Sequence, residues 1–286
     1  MIDLHTHTTA SDGRRTPADL VAYAASSGVT VLGVTDHDTV AGYAPAAAAG
    51  AAHGIEVVPG IEITAVREGV DVHVLGYFID AGFAALLAFL AEQRQRRIDR
   101  VRLMIARLAR HGIELDADAI VEPGIHDPSK SVGRPSIAQA LVDGGYVATA
   151  DEAFDRWLEH GAPAFVAREA ATPEEVIGRI HAAGGVASLA HPALLGRDEW
   201  IPIFAGAGLD AIEAYYTEHD ESQTAHYLAL AARLRIAVSG GSDYRADNAH
   251  GSTRPGSTSL PRDEYERLKR FLATIRATPS RSTTSS

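Results

Sequence analysis

Short runs of β-branched residues alternate with alanine-rich stretches along the first eighty residues of the chain. The segments VTVLGVTDHD (29–38), IEVVPGIEIT (55–64) and DVHVLGYFI (71–79) have the composition and length of buried strands. The stretches that separate the first strands are rich in alanine, which is typical of helices. Strands that alternate with helices predict an α/β fold built on a mostly parallel sheet or barrel.

From about residue 82 to residue 169 the pattern changes to helices alone. The run FAALLAFLAEQRQRRIDRVRLMIARLARHG predicts a long amphipathic helix, and shorter helices are predicted at GRPSIAQALVDGGYV and ADEAFDRWLEHG. Strand patterns then resume at GGVASLAHP (184–192), GLDAIEAYY (208–216) and LRIAVSGGSDY (234–244). We therefore predict one α/β domain from residues 1–81 and 170–276. A helical insertion is predicted at 82–169, and a disordered polar tail at 277–286.

Composition excludes several classes of protein. The net charge of −11 over 286 residues argues against a broad contact surface for duplex DNA. The chain has no cysteine, which excludes disulfides and thiolate metal sites. It has no apolar run of membrane-spanning length and begins without a basic-then-apolar leader. We expect a cytoplasmic protein that does not contact a membrane and that shows no sign of an obligate protein partner.

Metal-binding residue types recur where the predicted strands end. His5 and His7 alternate after the first strand, so both side chains would project from one face. Later strands end in or carry further ligand types, namely Asp36, His37, Glu62, His73, His191 and Asp243. In parallel α/β barrels the carboxyl ends of the strands meet at one rim, where active sites lie. The sequence therefore predicts that these residues surround one cavity.

A single histidine at a strand end is commonly a structural residue, but so many ionisable groups are costly to bury together without cations or ion pairs. Imidazole and carboxylate donors without thiolate suit Zn²⁺, Mn²⁺ or Fe²⁺ better than Ca²⁺. The candidates exceed the needs of one tetrahedral ion, which indicates at least two ions that share a carboxylate. Two such ions serve the hydrolysis of a phosphate ester directly.

The motifs HTHTTASDG, GVTDHDT, PGIEI, HVLGY, SLAHP and GGSDY resemble, in order and spacing, those of the PHP (polymerase and histidinol phosphatase) family. The resemblance covers residues 1 to about 250 and implies a distorted (β/α)₇ barrel with two or three metal ions. The segment VGRPSIAQALV is similar to a bacterial subgroup that removes the 3′-phosphate from nucleoside 3′,5′-bisphosphates. Some members of that subgroup also degrade short RNAs from the 5′ end.

By position, the resemblance implies a set of ligands for each metal ion. The first ion would be held by His5, His7, Glu62 and Asp243, and the second by His73 and His191 with Glu62 bridging. A third would use Asp12, His37 and a histidine two residues after the final aspartate, where this chain has Arg245. A guanidinium cannot ligate a cation. The third site is therefore expected to be empty, weakened or completed by water or substrate, unless the loop folds back and His250 substitutes. We expect two divalent ions, with Mn²⁺ favoured and Zn²⁺, Fe²⁺ or Mg²⁺ as alternatives.

The resemblance and the positions of individual residues suggest which side chains contact the substrate. Arg134 is predicted to bind phosphate, and Arg245 is an alternative because its planar donors suit that role. Ser136 stands where the subgroup usually has histidine. This difference weakens the expected substrate more than the expected class of reaction. His219 is predicted to be a substrate contact or proton donor beside the catalytic residues His191 and Asp243. The alternatives are a surface ion pair for Arg134 and a solvated loop position for His219.

Together these features predict a metal-dependent phosphoesterase in which a metal-bridging hydroxide attacks phosphorus. The predicted substrate is a small phosphorylated nucleotide, with 5′–3′ exonuclease activity on short RNA as an alternative. A second alternative is a regulatory protein whose catalysis is weakened at Arg245. An amidohydrolase is a further rival, but such enzymes commonly use a carbamylated or bridging lysine, and Lys130 and Lys269 lie far from every predicted strand end.

Overall fold

The computed structural model describes residues 1–126, 132–247, 251 and 253–277. His250 and the predicted tail from residue 278 onward lie outside the described residues, whereas residue 277 ends the last helix. Within the described ranges, none of the helices combines the length and the apolar character needed to cross a membrane.

The described residues contain a seven-stranded sheet with the strands in chain order. The strands are β1 (Ile2–Asp3), β2 (Val31–Val34), β3 (Glu56–Arg67), β4 (Val70–Tyr77), β5 (Val186–Leu189), β6 (Ala211–Tyr216) and β7 (Ala237–Gly241). The Leu4 backbone N–H donates to the Gly240 carbonyl at 3.1 Å, so the first strand meets the last and the sheet nearly closes into a barrel. The predicted α/β barrel of seven strands with additional helices is confirmed.

The fourth strand departs from the expected direction. β4 runs antiparallel to both β3 and β5, whereas the other neighbouring strands are parallel. β3 does not end at Glu62 as predicted but continues to Arg67 and returns as a hairpin, with Thr64 opposite His73. Because β4 is reversed, its first half lies at the end of the barrel where the parallel strands finish. His73 therefore reaches the same rim as the other predicted ligands.

The first strand is also shorter than the pattern suggests. β1 ends at Asp3, and the next residues stay extended, with Thr6 forming an isolated parallel bridge to Tyr244. His5 and His7 flank this bridge. Their alternation still places both side chains on one side, and their ring centroids lie 5.2 Å apart.

The helices are α1 (Pro17–Ser26), α2 (Tyr43–His53), α3 (Ala84–Ala109), α4 (Ala117–His126), α5 (Arg134–Asp143), α6 (Ala150–Ala153), α7 (Pro173–Ala182), α8 (Pro192–Leu195), α9 (Ile201–Gly206), α10 (Glu221–Leu234) and α11 (Arg262–Ala277). A π-helical turn at Phe154–Leu158 follows α6, and a 3₁₀ turn at Asp198–Trp200 precedes α9. α3 confirms the long helix that its apolar periodicity predicts.

The chain divides into two compact units. The barrel unit comprises Met1–Ala88 and the chain from Ala171 onward, and the helical unit comprises Phe89–Ala170. The core of the helical unit is apolar and includes Met104, Leu108 and Leu141, all fully buried. The barrel unit buries apolar strand residues together with a group of charged ones.

Candidate metal centre

Glu62 lies at the middle of a cluster of histidines in the barrel unit, and its side chain is fully buried. Its Oε2 atom lies 3.2 Å from His5 Nε2 and 3.2 Å from His7 Nε2. Its Oε1 atom lies 2.8 Å from His73 Nδ1 and 3.2 Å from His191 Nε2. Each oxygen of the carboxylate thus faces its own pair of imidazoles, and His37 Nδ1 also lies 3.3 Å from Oε2.

Asp243 completes the first pair. Its Oδ1 atom lies 3.2 Å from His5 Nε2 and 3.0 Å from His7 Nε2. One ligand atom from each of His5, His7, Glu62 and Asp243 lies within 4.8 Å of the other three, and all four residues are buried. His7 Nε2 is close to two carboxylates yet makes no hydrogen bond of normal geometry among the described residues. A buried imidazole nitrogen that lacks a hydrogen bond among converging carboxylates fits a divalent cation placed between them.

The protonation of the cluster supports the same interpretation. Burial alone would raise the pKa of Glu62, but the surrounding imidazoles, His37 first, outweigh it and hold the pKa well below its usual range. Burial alone would also raise the pKa of Asp243, but His5 outweighs it and keeps the pKa of this carboxyl well below its normal value. Burial alone would lower the pKa of His5, but Glu213 and Asp243 raise it well above normal. These pKa shifts keep both carboxylates ionised, which is the form that binds a metal ion.

Local backbone geometry brings the ligands this close. His191 and Asp243 both have positive φ, at 27° and 52°. A non-glycine residue in that region costs about 1–2 kcal/mol, so the surrounding structure must hold both in place. Gly241 packs directly against the backbone of His5, and a Cβ on residue 241 would collide with the His5 amide nitrogen. The glycine allows β7 and the first histidine to approach each other.

Two further residues support the ligands and were missed by sequence reasoning. His5 Nδ1 donates to Glu213 Oε1 at 2.9 Å, and the His191 backbone N–H donates to Glu213 Oε2 at 2.8 Å. Tyr216 donates from its hydroxyl to Asp243 Oδ2 at 3.2 Å. Because Glu213 accepts the proton on His5 Nδ1, the Nε2 atom of His5 would be available to bind a metal ion. The available signal was an acidic residue inside the apolar strand GLDAIEAYY, where a buried charge needs a partner.

Asp12 and His37, predicted as ligands of a third ion, lie at the exposed edge of the cluster. Asp12 Oδ1 is 3.4 Å from His7 Nδ1, and His37 Nδ1 is 3.3 Å from Glu62 Oε2. Arg245 reaches the same place and contacts Asp12, His37 and Asp243. Burial alone would raise the pKa of Asp12, but the neighbouring imidazoles and Arg245 lower it to about 2.

Of the residues predicted to contact substrate, Arg245 lies at this edge, Arg134 and Ser136 belong to the helical unit, and His219 belongs to the barrel unit. Arg134 and Ser136 are in the first turn of α5 in the helical unit, where the Arg134 guanidinium lies 5.6 Å from the centre of the Phe154 ring. The Ser136 hydroxyl oxygen accepts from the Gly133 N–H at 3.3 Å. His219 donates from Nδ1 to the Ala214 carbonyl at 3.0 Å, and its ring packs on Tyr216. Their roles stay predictions.

A family model and several named proteins match this chain. The PHP domain model matches residues 3–161. The 3′,5′-nucleoside bisphosphate phosphatase of Chromobacterium violaceum is 34% identical over 265 residues, which covers 91% of this chain and 92% of that protein. The 5′-3′ exoribonuclease Rnm of Escherichia coli is 34% identical over 252 residues, which covers 85% of this chain and 84% of the relative.

A solved structure agrees with the sequence matches. A proposed metal-dependent phosphoesterase from Bifidobacterium adolescentis superimposes with a TM-score of 0.76 at 31% identity, covering 93% of this chain and 94% of the other. Its similarity extends over the barrel unit and the helical unit alike, since so little of the chain is left out. The chain therefore belongs to the PHP domain family and is a metal-dependent phosphoester hydrolase.

Proposed function

We propose that this centre hydrolyses the 3′-phosphate of nucleoside 3′,5′-bisphosphates with two divalent cations, Mn²⁺ being the favoured metal. The observation that carries the proposal is the position of Glu62, whose two oxygens face separate pairs of imidazoles. A carboxylate placed in this way can bridge two ions. The substrate assignment is supported by the Chromobacterium violaceum relative, whose similarity extends over nearly the whole chain.

The ligand sets follow from the contacts of the two oxygens. His5, His7 and Asp243 would hold the first ion with Glu62 Oε2, and His73 and His191 would hold the second with Glu62 Oε1. Bound there, two divalent cations would supply a nucleophilic water near neutral pH and would neutralise charge on the phosphoryl group. Imidazole and carboxylate donors without thiolate suit Mn²⁺ as well as Zn²⁺ or Fe²⁺.

The remaining residues orient these ligands or bind the substrate. Glu213 fixes the tautomer of His5 and anchors the backbone of His191. Tyr216 holds the second oxygen of Asp243, and the first oxygen, which also accepts from Arg245, faces the imidazoles of His5 and His7. Arg134 contributes a planar guanidinium for a substrate phosphate, with Ser136 in the same helical turn, and His219 is retained as a substrate contact.

The test is a phosphate-release screen on protein stripped by chelation and reloaded with Mn²⁺. The panel contains nucleoside 3′,5′-bisphosphates, nucleoside 5′-monophosphates and short 5′-phosphorylated oligoribonucleotides. We expect release of the 3′-phosphate from the bisphosphates, no activity after chelation, and recovery on addition of Mn²⁺. Stripped protein that works as well as loaded protein would overturn the proposal.

A 5′–3′ exoribonuclease is the second candidate, because the Escherichia coli relative of that name is equally identical over most of the chain. The same screen separates the two activities. Mononucleotides that appear one at a time from the 5′ end of an oligoribonucleotide would favour the exoribonuclease. Release of inorganic phosphate from the bisphosphate alone would favour the phosphatase.

A further inference from the structure

The edge of the metal centre formed by His7, Asp12 and His37 has the donors of a third cation site. One ligand atom from each of the three lies within 4.8 Å of the others. The residue that contacts this group is Arg245, whose side chain is only 11% exposed. A guanidinium is a permanent cation, so Arg245 already supplies positive charge to the carboxylates at this edge.

The contacts of Arg245 match those that an ion at this edge would make. Nε donates to Asp12 Oδ2 at 2.8 Å, and Nη1 donates to Asp243 Oδ1. Nη2 lies 2.8 Å from His37 Nε2. Asp12, His37 and Asp243 come from the loops after β1, β2 and β7, and one side chain ties all three together.

The contact with His37 has a consequence for its lone pair. A guanidinium only donates, so His37 Nε2 must be the acceptor. In the neutral ring the proton then lies on Nδ1, which faces Glu62 Oε2 at 3.3 Å. With both ring nitrogens engaged in this way, His37 has no lone pair to offer a metal ion.

The backbone also fixes Arg245 at this edge. The Arg14 N–H donates to the Arg245 carbonyl at 2.9 Å, which joins the arginine to the loop that carries Asp12. On the other side the His7 N–H donates to the Tyr244 carbonyl at 2.9 Å. The backbone of Tyr244 and Arg245 is thus bonded to two segments that both carry ligand candidates.

We propose that Arg245 is a built-in substitute for the third cation, so that the centre binds two metal ions and not three. This inference rests on the proposed two-ion centre, and it gives Arg245 a structural charge role in place of phosphate binding. The guanidinium supplies one positive charge to Asp12 and Asp243 where a third divalent ion would supply two.

The test measures metal stoichiometry, which does not depend on turnover. Wild-type protein is loaded with Mn²⁺, dialysed to equilibrium and analysed for metal per chain by mass spectrometry. We expect a value near two for the wild type and near three for Arg245→His, which replaces the cation by an imidazole donor. Arg14→His, an exposed position on the adjoining loop, is the matched control and should stay near two.

A second variant keeps the test decisive if Arg245→His does not fold. Asp12→Asn removes a carboxylate that a third ion would need, and under this proposal it leaves the stoichiometry near two. Three ions in the wild type, a loss of one ion in Asp12→Asn, or two ions in folded Arg245→His would each overturn the inference. A wild type that binds no Mn²⁺ would overturn the proposed function with it. A shift from two to three ions without bisphosphatase activity would leave the inference standing and remove only the proposed substrate.

Discussion

The barrel unit and the helical unit bury different kinds of side chain. Of the polar and charged residues that are buried in the described part of the chain, Gln93 alone belongs to the helical unit, and the others belong to the barrel unit. They include His5, His7, Glu62, Glu213 and Asp243. Burying charges costs several kcal/mol each unless they are paired, so a unit that does so must gain a function or a cation from them.

The helical unit shows the opposite arrangement. Its core cluster is apolar and includes Met104, Leu108, Ile137 and Leu141. Arginines of this unit, including Arg96, Arg102 and Arg156, remain on the surface in ion pairs with neighbouring acids. The comparison teaches that the buried ionisable groups are concentrated in the barrel unit, whereas the helical unit is stabilised by apolar packing.

Glu62→Gln should disturb the metal centre of the barrel unit more severely than the other variants below. The amide keeps the shape but removes the charge that faces both pairs of imidazoles, so the Mn²⁺ content and phosphate release should both collapse. We expect more than about a 100-fold loss of phosphate release, since losing even an outer partner of a metal ligand costs about 10- to 100-fold. Glu56→Gln on the same strand but exposed is the control and should keep both. Unchanged metal content in Glu62→Gln would contradict the two-ion centre.

Glu213→Gln tests the supporting carboxylate, with a smaller effect. The variant keeps the volume but weakens the hold on His5 Nδ1 and the His191 backbone. Mn²⁺ affinity, measured by titration calorimetry, should fall about 10- to 100-fold. Glu221→Gln, an exposed position in the first turn of α10, should leave the affinity unchanged. Equal affinities for the two variants would show that Glu213 has no part in positioning the ligands.

Leu141→Ala tests whether the apolar core of the helical unit can be weakened without loss of metal. Its expected effect on the metal centre is the smallest of the three. Removal of a fully buried leucine should lower the free energy of unfolding by about 2–5 kcal/mol. The number of Mn²⁺ ions per folded chain should not change. Leu103→Ala at a position that is 56% exposed should change the free energy of unfolding by less than about 0.5 kcal/mol. Chemical denaturation with parallel metal analysis measures both quantities, and lost metal in folded Leu141→Ala would contradict the separation.

Much of the fold was accessible from local patterns. Each long strand from β2 to β7 coincides with a run of β-branched or apolar residues, because a buried strand needs such side chains on both faces. The direction of β4 was not accessible, since an apolar run has the same pattern whichever way it is paired. The same limit misplaced Glu62 at a strand end, although β3 continues into the hairpin.

The sequence by itself determined the donor types, their order and the family to which they belong, because motif residues and strand periodicity are properties of short segments. Only the tertiary structure decided that Glu62 faces two pairs of imidazoles, that Glu213 supports His5, and that Arg245 ties Asp12 to Asp243. The supporting contact joins residues 208 positions apart, and the contact from Arg245 to Asp12 joins residues 233 apart. Which charges meet depends on how the strands close into a barrel, and no local pattern carries that information.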